Sequence, residues 1–194
     1  MSLLALFLAT VPFANAAPES QDMRVALRGA AESWADASIA SVYRGGALAS
    51  GAAIIAPLYG PLSLDVEFLY RRLEDDREQQ LLELLPASLL VELDLGEQDG
   101  AYGFVAAGPS FVTFREGYPT PSGREVISGS RGLFEARGGV RIDLGLMQPS
   151  LTGTGSQVKA VELELYGGRR IQRASVSGFD LSAWRAGLGV ALVL

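Results

Sequence analysis

Apolar and polar residues alternate with a period of two over most of the chain. That is the pattern of strands whose two faces meet different surroundings. Eight segments show it. In residues 22–30, Met23, Val25 and Leu27 oppose Arg24, Ala26 and Arg28. Residues 46–58 are small and apolar on both faces. In 62–71, Leu62, Leu64, Val66, Phe68 and Tyr70 oppose Asp65, Glu67 and Arg71. In 88–95, Leu89, Val91, Leu93 and Leu95 oppose Glu92 and Asp94. Residues 101–114 place Tyr102, Phe104, Ala106, Val112 and Phe114 on one side. In 133–146, Phe134, Val140, Ile142, Leu144 and Leu146 oppose Glu135, Arg137, Arg141 and Asp143. In 158–168, Val161, Leu163 and Leu165 oppose Glu162, Glu164 and Tyr166. In 181–194, Trp184, Leu188, Val190, Leu192 and Leu194 oppose Arg185, Gly187 and Gly189.

The connections alternate in length. Tyr59-Gly60-Pro61 and residues 96–100 are tight turns, and 147–157 is a somewhat longer Gly/Ser/Thr-rich link. The stretches 32–45, 73–87, 115–132 and 168–180 are longer. Short turns on one side and long loops on the other predict an antiparallel up-and-down meander, with both termini on the short-turn side. Two stretches compete with this reading. Residues 76–85 fit an amphipathic helix ended by Pro86, and 30–42 fit a loop helix, so an α+β fold stays open.

Charge placement changes the picture most. Arg24, Arg28, Arg71, Arg137, Arg141 and Arg185, with Asp65, Glu67, Glu92, Asp94, Glu135, Asp143, Glu162 and Glu164, all sit opposite an apolar face. A soluble barrel would leave these charges in water and bury the apolar face. A membrane barrel inverts this, and its charges must then pair inside a narrow lumen. Both signs are present in near balance, and every cation is arginine, whose planar fork suits carboxylates. Tyr70, Tyr102, Phe114, Phe134 and Trp184 lie near strand ends on the apolar faces, as interfacial girdles do. The inverted reading makes Leu64, Val66, Phe68, Val140, Ile142, Leu144, Trp184, Leu188, Val190 and Leu192 lipid-facing. Closure is then required, because a sheet edge in lipid leaves backbone groups unsatisfied. Eight strands make a lumen that side chains can fill.

Composition narrows the function. The 194 residues carry 22 acidic against 16 basic side chains, a net charge of −6, which disfavours a nucleic-acid partner. Cysteine and histidine are absent, and Lys159 is the sole lysine. That excludes disulfides, thiol chemistry, histidine-based triads and Cys/His metal sites, and no cofactor is expected. Carboxylate pairs such as Glu162/Glu164 or Asp65/Glu67 have a spacing that glycosidase chemistry would tolerate, but any alternating strand offers the same spacing. The Leu151–Gly155 stretch has small residues but lacks the lysine of a phosphate loop. Residues 3–14 are nearly all apolar and precede Ala14-Asn15-Ala16, a fit to signal peptidase cleavage after Ala16. The expected organisation is a signal peptide at 1–16 and one barrel domain at 17–194.

On these features the chain resembles the small eight-stranded outer-membrane β-barrel proteins of Gram-negative bacteria, such as the transmembrane domain of outer-membrane protein A. The resemblance is architectural. The closest thing to a motif is the alternating last strand, which here ends in Leu194 where the family usually ends in an aromatic residue. It implies an all-β transmembrane barrel with short periplasmic turns and long extracellular loops. It also implies contact with outer-membrane lipid and lipopolysaccharide, with the barrel assembly machinery and with periplasmic chaperones. The enzymes among such barrels use histidine with serine, which this chain lacks. The expected role is non-enzymatic, with surface interaction through four loops, where Trp34, Tyr43, Tyr118 and Arg124 are the candidates. A soluble periplasmic barrel with an apolar ligand and a narrow-pore channel are the alternatives.

Overall fold

The structure is a computed structural model that describes residues 22–43, 48–75, 80–98, 100–144, 158–172 and 180–194. The expected export signal, Gly145, Leu146 and the 147–157 connection lie outside the described residues. Eight strands follow in order: β1 Arg24–Trp34, β2 Ala49–Tyr59, β3 Leu62–Glu74, β4 Leu81–Gln98, β5 Ala101–Thr120, β6 Gly123–Asp143, β7 Ala160–Gln172 and β8 Ala183–Val193. A short helix, α1 (Ala37–Val42), lies between β1 and β2. Each strand pairs antiparallel with its sequence neighbours, and β1 pairs with β8, so the sheet closes. The seam runs from Arg24 opposite Val193 to Trp34 opposite Ala183, and the Leu194 amide donates to the Met23 carbonyl at 2.9 Å. No strand of the closed sheet is left as a free edge over the barrel wall, which is the condition for standing in hydrocarbon.

The register determines the dimensions. Stepping around the ladders from Ala101 leads through Ile142, Leu163, Val190, Leu27, Ala52, Phe68 and Ala87 back to β5 at Phe111. The circuit therefore returns ten residues along the strand (111 − 101 = 10). Eight strands with that stagger tilt by about 41° and enclose a backbone radius of about 8 Å, too narrow for anything but side chains. Each residue then climbs about 2.5 Å along the barrel axis, and each step to the next strand in that circuit climbs about 3 Å.

The strands are longer than the period-two reading placed them, and the long connections shrink accordingly. Residues 115–132, expected to be a loop, continue β5 and β6 as a two-stranded ribbon that turns at Pro121-Ser122. Leu81–Leu85, expected in the 73–87 connection with a helix over 76–85 as the competing reading, belong to β4, opposite β3 and β5, and residues 76–79 lie outside the described residues. Leu81-Leu82-Glu83-Leu84-Leu85 satisfies both periods, and pairing on two sides decides for the strand. Pro86 does not end the element. The β3–β4 ladder pairs Phe68 with Ala87 and Arg71 with Leu84 on either side of it, which accommodates its missing N–H. The loop helix survives only as α1, because residues 30–34 pair with β8. At the tight β2–β3 turn Gly60 adopts a φ of 55°, the left-handed region that glycine enters most readily.

The outer wall is apolar. Leu64, Val66, Phe68, Val140, Ile142, Trp184, Leu188, Val190 and Leu192 occupy the outward positions of β3, β6 and β8, with Phe68 63% and Leu188 59% exposed. A soluble barrel with these residues lining its interior is therefore not the fold formed. Leu144 follows the end of β6, so it is not a strand position. Tyr70, Phe111, Phe134 and Trp184 are exposed and fall within about 3 Å of one height, a girdle at the long-connection end. Tyr102 and Phe114 point inward instead. No charged residue occurs in β5 before Arg115, so the sequence had no marker for which of its faces looked inward.

Replacing Val190 with Arg is expected to cost roughly 2–4 kcal/mol of folding stability in lipid, as for a cation near the bilayer midplane. Urea unfolding of the protein in vesicles measures this. Unchanged stability would contradict an outward Val190.

Candidate functional site

The barrel interior is a stack of ion pairs. Nearest the short-turn end, Arg141 holds Glu92 with two parallel hydrogen bonds of 2.6 and 2.8 Å. Its Nε donates to Glu164 at 2.7 Å, and Nη1 reaches Asp94 at 3.2 Å. The guanidinium lies 4.2 Å from the centre of the Phe104 ring. Arg24 bridges Asp94 at 3.5 Å and Glu162 at 3.3 Å, and the Tyr102 hydroxyl donates to Glu162 at 2.8 Å.

In the middle, Arg28 donates twice to Glu164, at 2.7 and 3.0 Å, and contacts Asp65 at 2.9 Å and Glu67 at 3.2 Å. Arg137 closes on Asp65 and donates to Glu67 at 2.7 Å. Toward the long-connection end, Arg185 pairs with Glu135 and donates to Glu67 at 2.9 Å. Arg170 lies 3.4 Å from Glu135 and 3.3 Å from Glu32, and Arg71 donates to Glu32 at 3.0 Å. The Tyr166 ring sits among Arg28, Arg137 and Arg185 at 5.4–5.8 Å. Gly187 and Gly189 supply the room: a Cβ on Gly187 would strike that ring at 2.3 Å, and one on Gly189 would press on Arg28 and Glu164 at 3.0 Å.

Seven arginines and eight carboxylates, each with a nearly solvent-free side chain, thus form one connected array among the described residues. It spans about 20 Å of the barrel axis. Thirteen of its members occupy positions where the sequence pattern had marked a charge. Asp143, also marked, is half-buried at the end of β6, opposite Glu162. Glu32 and Arg170 were missed because their strands were ended too early. Glu32 keeps the parity of Arg24 and Arg28, and Arg170 that of Glu162 and Glu164. The imagined glycosidase pairs, Glu162/Glu164 and Asp65/Glu67, are all buried against arginine.

Above the charges the interior turns apolar. Ile39 of α1, Tyr43, Leu73, Leu82, Leu84, Val112, Phe114, Leu133 and Leu181 form one buried cluster, with Trp34 packed against it. The Tyr43 hydroxyl donates to Glu116 at 2.5 Å and ties the segment after α1 to β5. Trp34 lies under Arg71, 5.3 Å from its guanidinium. Trp34 and Tyr43 are therefore parts of the plug rather than exposed loop residues: an aromatic side chain close to an apolar lumen gains more by filling it than by facing water. Tyr118 and Arg124 lie on the β5–β6 ribbon, Tyr118 half-buried opposite Glu125, and Arg124 exposed with its guanidinium covering Gly117. Burial and the neighbouring Glu116 carboxylate push the Tyr43 phenol above its ordinary pKa.

Charges inward, apolar residues outward and a closed eight-stranded antiparallel sheet define a membrane β-barrel of the outer-membrane type, with an internal salt-bridge network. No protein-family model matches the chain, and no curated protein matches it in sequence. Among solved structures it is similar to the N-terminal β-barrel domain of OprF from Pseudomonas aeruginosa, with a TM-score of 0.55 at 12% identity over 88% of this chain and 97% of that one. It is similar to the Neisserial surface protein A, NspA, at 0.53 and 12% identity over 89% and 96%. It is also similar to Ail, the attachment invasion locus protein of Yersinia pestis, in its complex with the heparin analogue sucrose octasulfate, at 0.53 and 8% identity over 89% and 97%. At these identities the likeness is one of fold.

Replacing Arg141 with Leu leaves Glu92, Asp94 and Glu164 short of a cation, and is expected to cost about 3–5 kcal/mol. Denaturant unfolding in vesicles tests this, and a loss below about 0.5 kcal/mol, as at a solvated surface site, would contradict burial. Tyr43→Phe is expected to remove a charge-assisted hydrogen bond and cost about 1.5–3 kcal/mol at neutral pH. Below an unfolded phenol pKa of about 10 both states hold the proton and the contact stabilises fully. Above it the unfolded state ionises first, so this stability falls as pH rises through the folded, raised value. A pH series on wild type and Tyr43→Phe should show the two curves converging in that alkaline range; a constant gap would contradict the assignment.

Proposed function

We propose that this protein is a non-enzymatic outer-membrane barrel that combines a structural role with surface interaction. The observation that carries the reading is the pairing of a charged lumen, through the height of the belt, with an apolar outer wall. An apolar belt about 25 Å tall is the height such barrels present to lipid, and the outward side chains from the short turns to the girdle cover about that distance.

The chain is exported by residues 1–16, cut after Ala16, and its residues 17–194 form one barrel domain. Its short turns and termini face the periplasm. Thirteen of the fourteen marked charges, joined by Glu32 and Arg170, act as the lumen network that holds the barrel closed, and Asp143 stands at its short-turn end. Ion pairs at successive heights and the apolar cap above them favour a sealed lumen over a conducting one. Lipid and lipopolysaccharide surround the belt, periplasmic chaperones carry the unfolded chain, and the barrel assembly machinery acts on the alternating last strand. The surface that meets a protein partner is the β5–β6 ribbon, where Tyr118 and Arg124 stand beside exposed Val126 and Ile127.

Fractionation followed by gel electrophoresis of unboiled and boiled samples tests the reading. The expected result is recovery in the outer membrane with a heat-dependent mobility shift, and no stepwise conductance in planar bilayers. Release as a soluble periplasmic monomer would contradict it.

A further inference from the structure

Among the described residues, Arg169 is the cation that stands on the outer wall at the edge of the apolar belt, below the height of Arg72. β7 turns Leu165, Gly167, Arg169 and Ile171 outward, and all four are exposed. Arg169 lies between Ala136 on β6 and Trp184 on β8, and its guanidinium rests 5.1 Å from the centre of the Trp184 ring. Among the described residues, the outward positions of β6, β7, β8 and β1 at the heights around it hold no carboxylate. Arg72, the outward arginine of β3, differs: it donates to Glu74 at 2.7 Å and sits opposite Glu83.

A guanidinium at the edge of hydrocarbon must find an anion or water. The Arg169 backbone lies at, or just below, the height of the aromatic girdle, and its long stem lifts the head to the polar boundary. Trp184 holds the head by cation–π contact, and among the described residues the N–H fork makes no hydrogen bond. A phosphate fits that fork with two parallel hydrogen bonds. The girdle is at the end opposite the termini, so in an exported barrel it meets the outer leaflet.

We propose that Arg169 and Trp184 form a binding site for the phosphate group of an outer-leaflet lipid, the lipid A portion of lipopolysaccharide, with its acyl chains against Leu165 and Leu188. The proposal rests on the membrane-barrel reading above. Native mass spectrometry of the detergent-extracted protein, incubated with bisphosphorylated lipid A or its dephosphorylated form, tests it. Wild type is expected to retain only the phosphorylated lipid, and Arg169→Gln to retain about tenfold less. Trp184→Leu is expected to fall between them, and excess inorganic phosphate is expected to leave the wild-type complex intact. Equal retention by wild type and Arg169→Gln, equal retention of both lipids, or displacement by inorganic phosphate would each overturn the proposal. The heat-dependent gel shift is run on every sample. Its absence from wild type would sink the barrel reading itself, whereas an intact shift with unchanged retention in Arg169→Gln would sink only the lipid site.

Discussion

Everything in this molecule depends on arginine meeting carboxylate inside a tube about 8 Å in backbone radius. A charge left alone there would cost several kcal/mol, so each must be placed against its opposite. The array does this by sharing. Glu67 contacts Arg28, Arg137 and Arg185, and Glu164 contacts Arg28 and Arg141. Because these partners come from β1, β3, β6, β7 and β8, the Glu67 pairs and Arg28–Glu164 link strands that are not neighbours, and Arg141–Glu164 ties adjacent β6 to β7. The closed register places the residues at the required heights, and the charges in turn oppose any slip of register, since a one-residue shift would turn a whole strand's charges toward lipid.

The interior has two parts with different physics. Through the height of the apolar belt it is ionic, and above the girdle it is a small hydrophobic core of the ordinary kind. The second part exists because β4, β5 and β6 outrun the belt and α1 folds inward over them. Ile39 and Tyr43 then cover the charged layer from above. The Tyr43–Glu116 hydrogen bond joins this cap to the base of the β5–β6 ribbon, so the outermost surface is supported by the same strands that line the lumen. Arg131 over the Phe114 ring, at 5.5 Å, adds a further contact at that base.

The barrel was legible wherever one face of a strand carried charge. Asp65 and Glu67 against Val66 and Phe68, or Arg137 and Arg141 against Val140, mark both the period and the inward side. Where charge was missing the reading lost its orientation: Tyr102 and Phe114 alternate as cleanly as Trp184 and Leu188, yet they fill the lumen. Strand length was harder still. Leu81–Leu85 fits a helix as well as a strand, and residues 115–132 carry glycines, prolines and serines that read as loop. Only pairing with neighbours, which no local pattern contains, extends β4 to Leu81 and joins β5 to β6 as a ribbon. Trp34 and Tyr43 read as surface residues for the same reason, since an apolar cap inside the mouth becomes apparent only once Leu73, Leu84 and Phe114 are known to face one another.

The central claim is that the faces are inverted, and the absence of cysteine makes it directly measurable. Single cysteines at successive positions of β8 can be spin-labelled in vesicles and probed with oxygen, which partitions into lipid, and with a water-soluble nickel complex. The account predicts strict alternation: labels at 184, 186, 188, 190 and 192 collide with oxygen and are shielded from nickel, and labels at 185, 187, 189 and 191 are shielded from both. Free access of the nickel complex to positions 186, 188 and 190 would mean that this face meets water, and would contradict the account.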